Sequence, residues 1–232
     1  PHATDAGIDA FRNGGNAVDA ALAAAITLTV TEPCSNGIGG DGFAIVAESG
    51  QLHGLNACGK SPLAWKRDYF NQFDSMPEHG WDSVTTPGAV SQWVALHDRF
   101  GKLPFEKLFG SAINHARNGF SLGAQVAKGF KAARKIFAEY PEFLQAWFPK
   151  GFEPEEGAVF KNPAQAYTLE EIAATKGESF YRGPIAKQIV EYAQSTGGWL
   201  CAEDLATHQA TWVEPISTRY RSYDVHEIPP NG

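Results

Sequence analysis

Asn36-Gly37-Ile38-Gly39-Gly40-Asp41-Gly42 runs directly into Phe43-Ala44-Ile45-Val46-Ala47, and the order of these two pieces decides the fold class. The first is a glycine loop. The second is an apolar run with the length of a buried strand. A dinucleotide-binding loop leaves a strand and opens a helix, whereas this one leaves a helix and enters a strand. The loop therefore reads as backbone packed closely against another segment or a substrate, not as a phosphate cradle. Glu48-Ser49-Gly50 has turn chemistry, and Gln51 to Asn56 returns as a second strand, which makes a β-hairpin.

Upstream, Thr4 is read as the cap of a short helix carrying Ile8 and Phe11, stopped by Gly14-Gly15. Asn16 caps a second helix from Ala17 to about Val30, with Ala20, Ala21, Ala24 and Ala25 as a face for close packing and Glu32-Pro33 as its end. Both helices are expected to pack on one side of the hairpin. Downstream, the spacing predicts helices over Ala89–Phe100, from Pro104 to Asn118, and over Leu122–Tyr140. A capping box at Thr168-Leu169-Glu170-Glu171 and Pro184 are each read as helix starts, with Gly197-Gly198 as a stop. Trp212-Val213 and Tyr223 to Ile228 read as strands, and the aromatic, Pro-rich stretch 140–163 as an irregular surface excursion. Strands interleaved with helices make the class α/β.

With 232 residues, 43% of them hydrophobic, the chain has enough apolar material for a core. Its net charge is −7 and it has no Lys/Arg run, which argues against nucleic acid or an anionic membrane surface as a partner. The longest apolar run, Ala20–Val30, is shorter than the roughly 20 residues of a spanning helix. Cys34, Cys58 and Cys201 are far apart and odd in number, so they are read as reduced, mostly buried thiols. That reading leans towards a cytoplasmic location, with a periplasmic or secreted one left open because the chain begins at Pro1. Ile228-Pro229-Pro230-Asn231-Gly232 reads as a strand running into a turn, and hence as a truncated or proteolytic end.

No complete catalytic apparatus is evident. There is no G-x-S-x-G element, and the seven histidines lack metal-ligand spacing, so no metal or cofactor is assigned. Glu170-Glu171 and Glu203-Asp204 are read as acids at helix N-termini. Cys58 follows a strand in a Gly-containing turn, where a nucleophile can sit, but no His partner is identifiable.

Several separate strings then occur in one order. They are Ala3-Thr4-Asp5-Ala6-Gly7, Gly14-Gly15-Asn16-Ala17-Val18-Asp19-Ala20-Ala21, Glu32-Pro33, and Gly37-Ile38-Gly39-Gly40-Asp41-Gly42-Phe43. Thr86-Pro87-Gly88-Ala89-Val90, Tyr181-Arg182-Gly183-Pro184-Ile185-Ala186, Gly197-Gly198, Glu203-Asp204-Leu205, Pro215-Ile216 and Tyr220-Arg221-Ser222-Tyr223-Asp224-Val225 follow. Together they resemble the gamma-glutamyltranspeptidase family over nearly the whole chain, as the front part of its large subunit.

The resemblance implies an N-terminal-nucleophile hydrolase with an αββα sandwich, to which residues 1–232 contribute one partial large-subunit domain. It implies autocatalytic cleavage of a precursor, and a small subunit whose new N-terminal Thr attacks an amide carbonyl to form an acyl-enzyme, its own α-amine serving as base. No catalytic residue is then expected within this chain. The partners implied are that small subunit and a small-molecule amide, with a place in glutathione metabolism. A non-catalytic scaffold or small-molecule-binding member is the competing reading. In gamma-glutamyl enzymes an Arg four residues before a Pro holds the glutamyl carboxylate. Pro62 matches that Pro, and Cys58 stands at the Arg position, with Lys60 two residues later. Cys58 and Lys60 are therefore the candidate substrate-binding residues. Their chemistry points away from gamma-glutamyl specificity, towards the branch that holds cephalosporin-acylase-like and oxamate-amidohydrolase-like members.

Overall fold

The computed structural model describes residues 1–231; Gly232, the last residue of Ile228-Pro229-Pro230-Asn231-Gly232, lies outside them. The elements run α1 (His2–Arg12), α2 (Ala17–Thr31), β1 (Gly42–Glu48), β2 (Gln51–Ala57), α3 (Arg67–Phe70), α4 (Ala89–Phe100) and α5 (Gly110–Asn118). They continue with β3 (Phe120–Ser121), α6 (Ala124–Ile136), α7 (Pro141–Trp147), β4 (Val159–Phe160), α8 (Pro163–Thr175), α9 (Glu178–Arg182) and α10 (Pro184–Ser195). The last are α11 (Ala202–Ala206), β5 (Thr211–Val213), β6 (Ile216–Tyr220) and β7 (Tyr223–Glu227). Among the described residues, no helix is long and apolar enough to cross a membrane.

The chain divides into two compact units, one of residues 1–37 and 99–176, the other of residues 38–98 and 177 onward. The first is mainly helical. Its centre is α2, which buries Leu22, Ala23, Ile26 and Val30. The Ala face expected from the sequence is displaced: Ala21 is exposed, because the larger side chains take the inward stripe. Asn16 caps α2 as expected, its Oδ1 accepting from the Val18 and Asp19 amides. Asp19 completes a capping box by accepting from the Asn16 amide at 2.9 Å. The same carboxylate, fully buried, also accepts from the Lys102 and Leu103 amides, and so fastens the chain after α4 to the start of α2.

Four sequence expectations shift in this unit. Helix α1 begins at His2, ahead of Thr4, with Pro1 at its N-cap. Pro104 opens a 3₁₀ turn, Phe105–Phe109, before α5. The helix expected over Leu122–Tyr140 forms with shorter bounds: Gly123 caps the start of α6, and Phe137 ends it. Helix α8 begins at Pro163 behind Asn162, so Thr168 is interior and turns its hydroxyl onto the Ala164 carbonyl. Glu170 is correspondingly mid-helix and pairs with Arg117 at 2.6 Å. The stretch 140–163 is exposed along most of its length, as expected, but it carries α7 and β4 and is anchored by buried Phe148 and Phe160, whose rings Phe130 meets edge-on.

The second unit holds a three-stranded antiparallel sheet of order β1-β2-β5. The hairpin forms in the expected register, Gly42 opposite Ala57 and Glu48 opposite Gln51. Helices α1 and α2 fall in the other unit. Strand β6, not expected from the sequence, pairs with β7, and both strands are exposed along their length. Glu203-Asp204 does lie at a helix start, where Asp204 accepts from the Cys201 amide at 2.8 Å.

Removing the Asp19 carboxylate leaves three part-buried amide donors, those of Asn16, Lys102 and Leu103, without their side-chain acceptor. Asp19→Ala is expected to lower the unfolding free energy by about 2–4 kcal/mol in urea titrations, and Asp19→Asn by less, since one oxygen remains.

Candidate functional site

Three backbone segments of the second unit converge beside the first turn of α4. The glycine loop contributes Gly40, whose carbonyl accepts from the Gly88 and Ala89 amides at 2.9 and 2.8 Å. The Thr86 amide donates to the Lys60 carbonyl at 2.9 Å. The turn Thr86-Pro87-Gly88-Ala89 thus holds both the glycine loop and the loop after β2. It does so at van der Waals contact: a Cβ on Gly59 would stand 1.7 Å from the Thr86 oxygen, and one on Gly88 would stand 1.8 Å from the Ala57 oxygen. Glycine is needed at both positions for this approach.

The turn is backed by three side chains. Tyr181 Oη donates to the Pro87 carbonyl at 2.8 Å and accepts from the Ser91 amide at 3.0 Å. Burial pushes its pKa up to about 12, so it stays a neutral donor. Ser91 Oγ donates to the Gly88 carbonyl at 2.7 Å and lies 3.0 Å from His208 Nε2. With that hydroxyl proton on Gly88, His208 is the donor and its Nδ1 an acceptor. Nδ1 is buried without a partner. Burial, then the nearby Lys60 charge, lower the His208 pKa, with Asp41 opposing them.

Both residues singled out from the sequence lie on the held loop. The Cys58 amide donates to Asn56 Oδ1 at 2.8 Å, and the Gly59 amide to Asp41 Oδ1 at 2.7 Å. Cys58 Sγ donates to Asp41 Oδ2 at 3.6 Å and accepts from Asn231 Nδ2 at 3.3 Å. Asn56 Nδ2 reaches Asn231 Oδ1 at 2.7 Å, which closes the group. Burial and the Asp41 carboxylate raise the thiol pKa, which disfavours the nucleophilic thiolate. Lys60 is exposed. The thiols are less buried than expected: Cys34 is exposed, and Cys58 and Cys201 are half-buried.

Asp41, Asn56 and Asn231 were not singled out in the sequence as site residues, and neither were Ser91, Tyr181 and His208. Asn56 had a usable signal, an Asx turn onto the amide two residues on. Asp41 sat inside the glycine loop in plain view. His208 and Asn231 had none, because their roles come from contacts across more than a hundred residues.

Gly59→Ala is expected to destabilise the protein by about 3 kcal/mol or more in chemical denaturation. Gly39→Ala, with nothing within 4 Å of the new Cβ, should stay within about 0.5 kcal/mol of the parent. A second outcome concerns pH. His208 is lowered in the fold, so its contribution is present above its unfolded value of about 6.5 and is lost as pH falls through that range. His115, lowered mainly by burial, acts in the same direction. Urea midpoints at about pH 7.5 and about pH 5.5 should differ less in His208→Gln than in the parent.

A family model for gamma-glutamyltranspeptidase matches residues 3–232. The cephalosporin acylase of Bacillus halodurans superposes with a TM-score of 0.95 at 42% identity, over 100% of this chain and 45% of that one. The glutathione hydrolase-like YwrD proenzyme of Bacillus subtilis is 32% identical over 100% of this chain and 45% of its own length. The oxamate amidohydrolase proenzyme of Klebsiella pneumoniae is 31% identical over 99% of this chain and 45% of its own. The chain therefore spans about half the length of these relatives, and it shares its mixed α/β fold with the Bacillus halodurans acylase. The chain belongs to the gamma-glutamyltranspeptidase family.

Proposed function

We propose that this chain forms the large-subunit part of an autoprocessed amide hydrolase or acyltransferase whose Thr nucleophile lies outside these residues. The observation that carries this is the convergence of the family strings on one place. The glycine loop, the Thr86-Pro87-Gly88-Ala89 turn and the loop bearing Cys58 are bonded to one another through backbone groups. In the mechanism implied by the family, the Thr hydroxyl adds to the amide carbonyl and its proton passes through the α-amine to the leaving amine. Water, or an acceptor amine, then releases the acyl group. The residues described here bind and orient the acyl part. Relatives named as acylase and amidohydrolase favour this over a non-catalytic scaffold. The partner is a small subunit carrying the N-terminal Thr, in line with the relatives' designation as proenzymes.

Cys58 and Lys60 are the substrate-facing residues of this proposal. A thiol engaged by Asp41 and Asn231 offers no charged fork to a carboxylate, and Lys60 offers a point charge. The complete enzyme should therefore disfavour gamma-glutamyl donors and prefer glutaryl or oxamate-type amides. The loss of an ion pair to a buried carboxylate is worth about 2–5 kcal/mol, more than tenfold in affinity.

The test compares kcat/KM of the complete enzyme for a gamma-glutamyl anilide and for the two amide classes, before and after Cys58→Arg. The substitution should raise the gamma-glutamyl value by more than about tenfold. A parent enzyme that already handles the gamma-glutamyl donor best contradicts the specificity argument. Unchanged kinetics in Lys60→Ala would reduce Lys60 to a surface lysine. The 232-residue chain alone should give no turnover with any of these substrates, and Cys58→Ser should leave that unchanged.

A further inference from the structure

Between α6 and α7 lies a cavity of about 450 Å³ within the first unit. Its walls are aromatic: Phe130, Phe137, Phe143, Trp147 and Phe148 all border it. Its floor is made of small residues, since Gly129, Ala132 and Ala133 follow one another along α6 and leave room where larger side chains would fill it. Pro33 and Cys34, just past α2, close one side. The Cys34 side chain packs directly over Gly129, where a Cβ would stand 2.5 Å from Sγ.

The rings brace one another. Phe137 and Phe143 lie 4.8 Å apart, and Phe130 meets Phe148 edge-on at 5.9 Å. These contacts hold the walls apart around the space. The Cys34 thiol and the Trp147 indole N–H are the polar side-chain groups among the lining residues. Two basic groups of α6 are engaged elsewhere, and Lys128 and Lys135, each next to a lining residue in sequence, are exposed and outside the lining. Arg134 makes two hydrogen bonds to Glu153 while lying over the Phe148 ring, and Lys131 reaches Glu155 at 2.7 Å. The cavity is open to solvent along Cys34, Ala132 and Ile136, and its mainly apolar lining favours an apolar ligand that displaces the water there.

We infer that this cavity binds a neutral, apolar, ring-containing small molecule, with Cys34 at its wall. No charged side chain lines the cavity, so nothing in its walls rewards a charged ligand. Flat rings can stack on Trp147 or meet Phe143 and Phe148 edge-on.

The probe is N-phenyl-1-naphthylamine, which is neutral and fluoresces in apolar surroundings. It should bind the purified protein saturably at one site. Its anionic relative 1-anilinonaphthalene-8-sulfonate should bind at least about tenfold more weakly. Ala133→Trp, which fills the floor, should weaken the neutral probe by about tenfold or more. Bound probe should also slow alkylation of Cys34, located by peptide mapping, while Cys58 and Cys201 react as before. That measurement uses the unaltered protein and stands even if Ala133→Trp fails to fold. Non-saturable binding, equal affinity for the anionic probe, or equal protection of all three cysteines would overturn the assignment.

Discussion

Two backbone approaches without side chains between them govern the second unit. Gly59 meets the Thr86 carbonyl, and Gly88 meets the Ala57 carbonyl, each closer than a methyl group permits. Because the backbones touch, their amides and carbonyls can bond across: Thr86 to Lys60, and Gly88 with Ala89 to Gly40. The hairpin, the glycine loop and α4 thereby share one junction. The positions of Asp41, Cys58 and Lys60 follow from it, since each lies within one residue of a bonded backbone group. Ser91, Tyr181 and His208 add a buried polar backing, and its bonds converge on Pro87, Gly88 and Ser91.

The fold was legible where local chemistry acts alone. The hairpin, the Asn16 cap, α4 and α10 with its Pro start form as the sequence indicates. The errors share one cause. Thr168-Leu169-Glu170-Glu171 matches a capping box, but Asn162 and Pro163 supply an earlier start, and the helix continues through the later match. The aromatic stretch after α6 has loop-like composition, yet it carries α7 and β4. The burial of its Phe148 and Phe160 comes from rings meeting across distant positions, as Phe130 and Phe160 do, and no local pattern shows that. Strand β6 is short, exposed on every residue and rich in polar side chains, so alternation does not mark it.

The site was legible in outline and hidden in detail for the same physical reason. The strings around Gly37–Gly42, Cys58 and Thr86–Ala89 are local and could be read one by one. Their convergence depends on hydrogen bonds between Gly40 and Gly88 and between Lys60 and Thr86, across tens of residues. A thiol at position 58 could be recognised from its spacing to Pro62. Its engagement by Asp41 and Asn231, the latter 173 residues away, could not.

That engagement bears on what position 58 can recognise. Asp41 is spent on the Gly59 amide and the Cys58 thiol, so it holds the loop in shape. It also places a carboxylate beside the position where a substrate carboxylate would need a cation. A guanidinium at position 58 would neutralise Asp41 and still present donors outward, because its fork has several N–H groups. A neutral thiol does neither. Lys60 is then the positive charge of the loop 58–62, and it is solvated and exposed. An exposed ammonium at a distance is screened and adds well under the strength of a desolvated pair. The loop therefore presents little net attraction to an α-carboxylate. On the proposed function, an acyl group held at this loop would gain its binding from neutral hydrogen bonds and from shape.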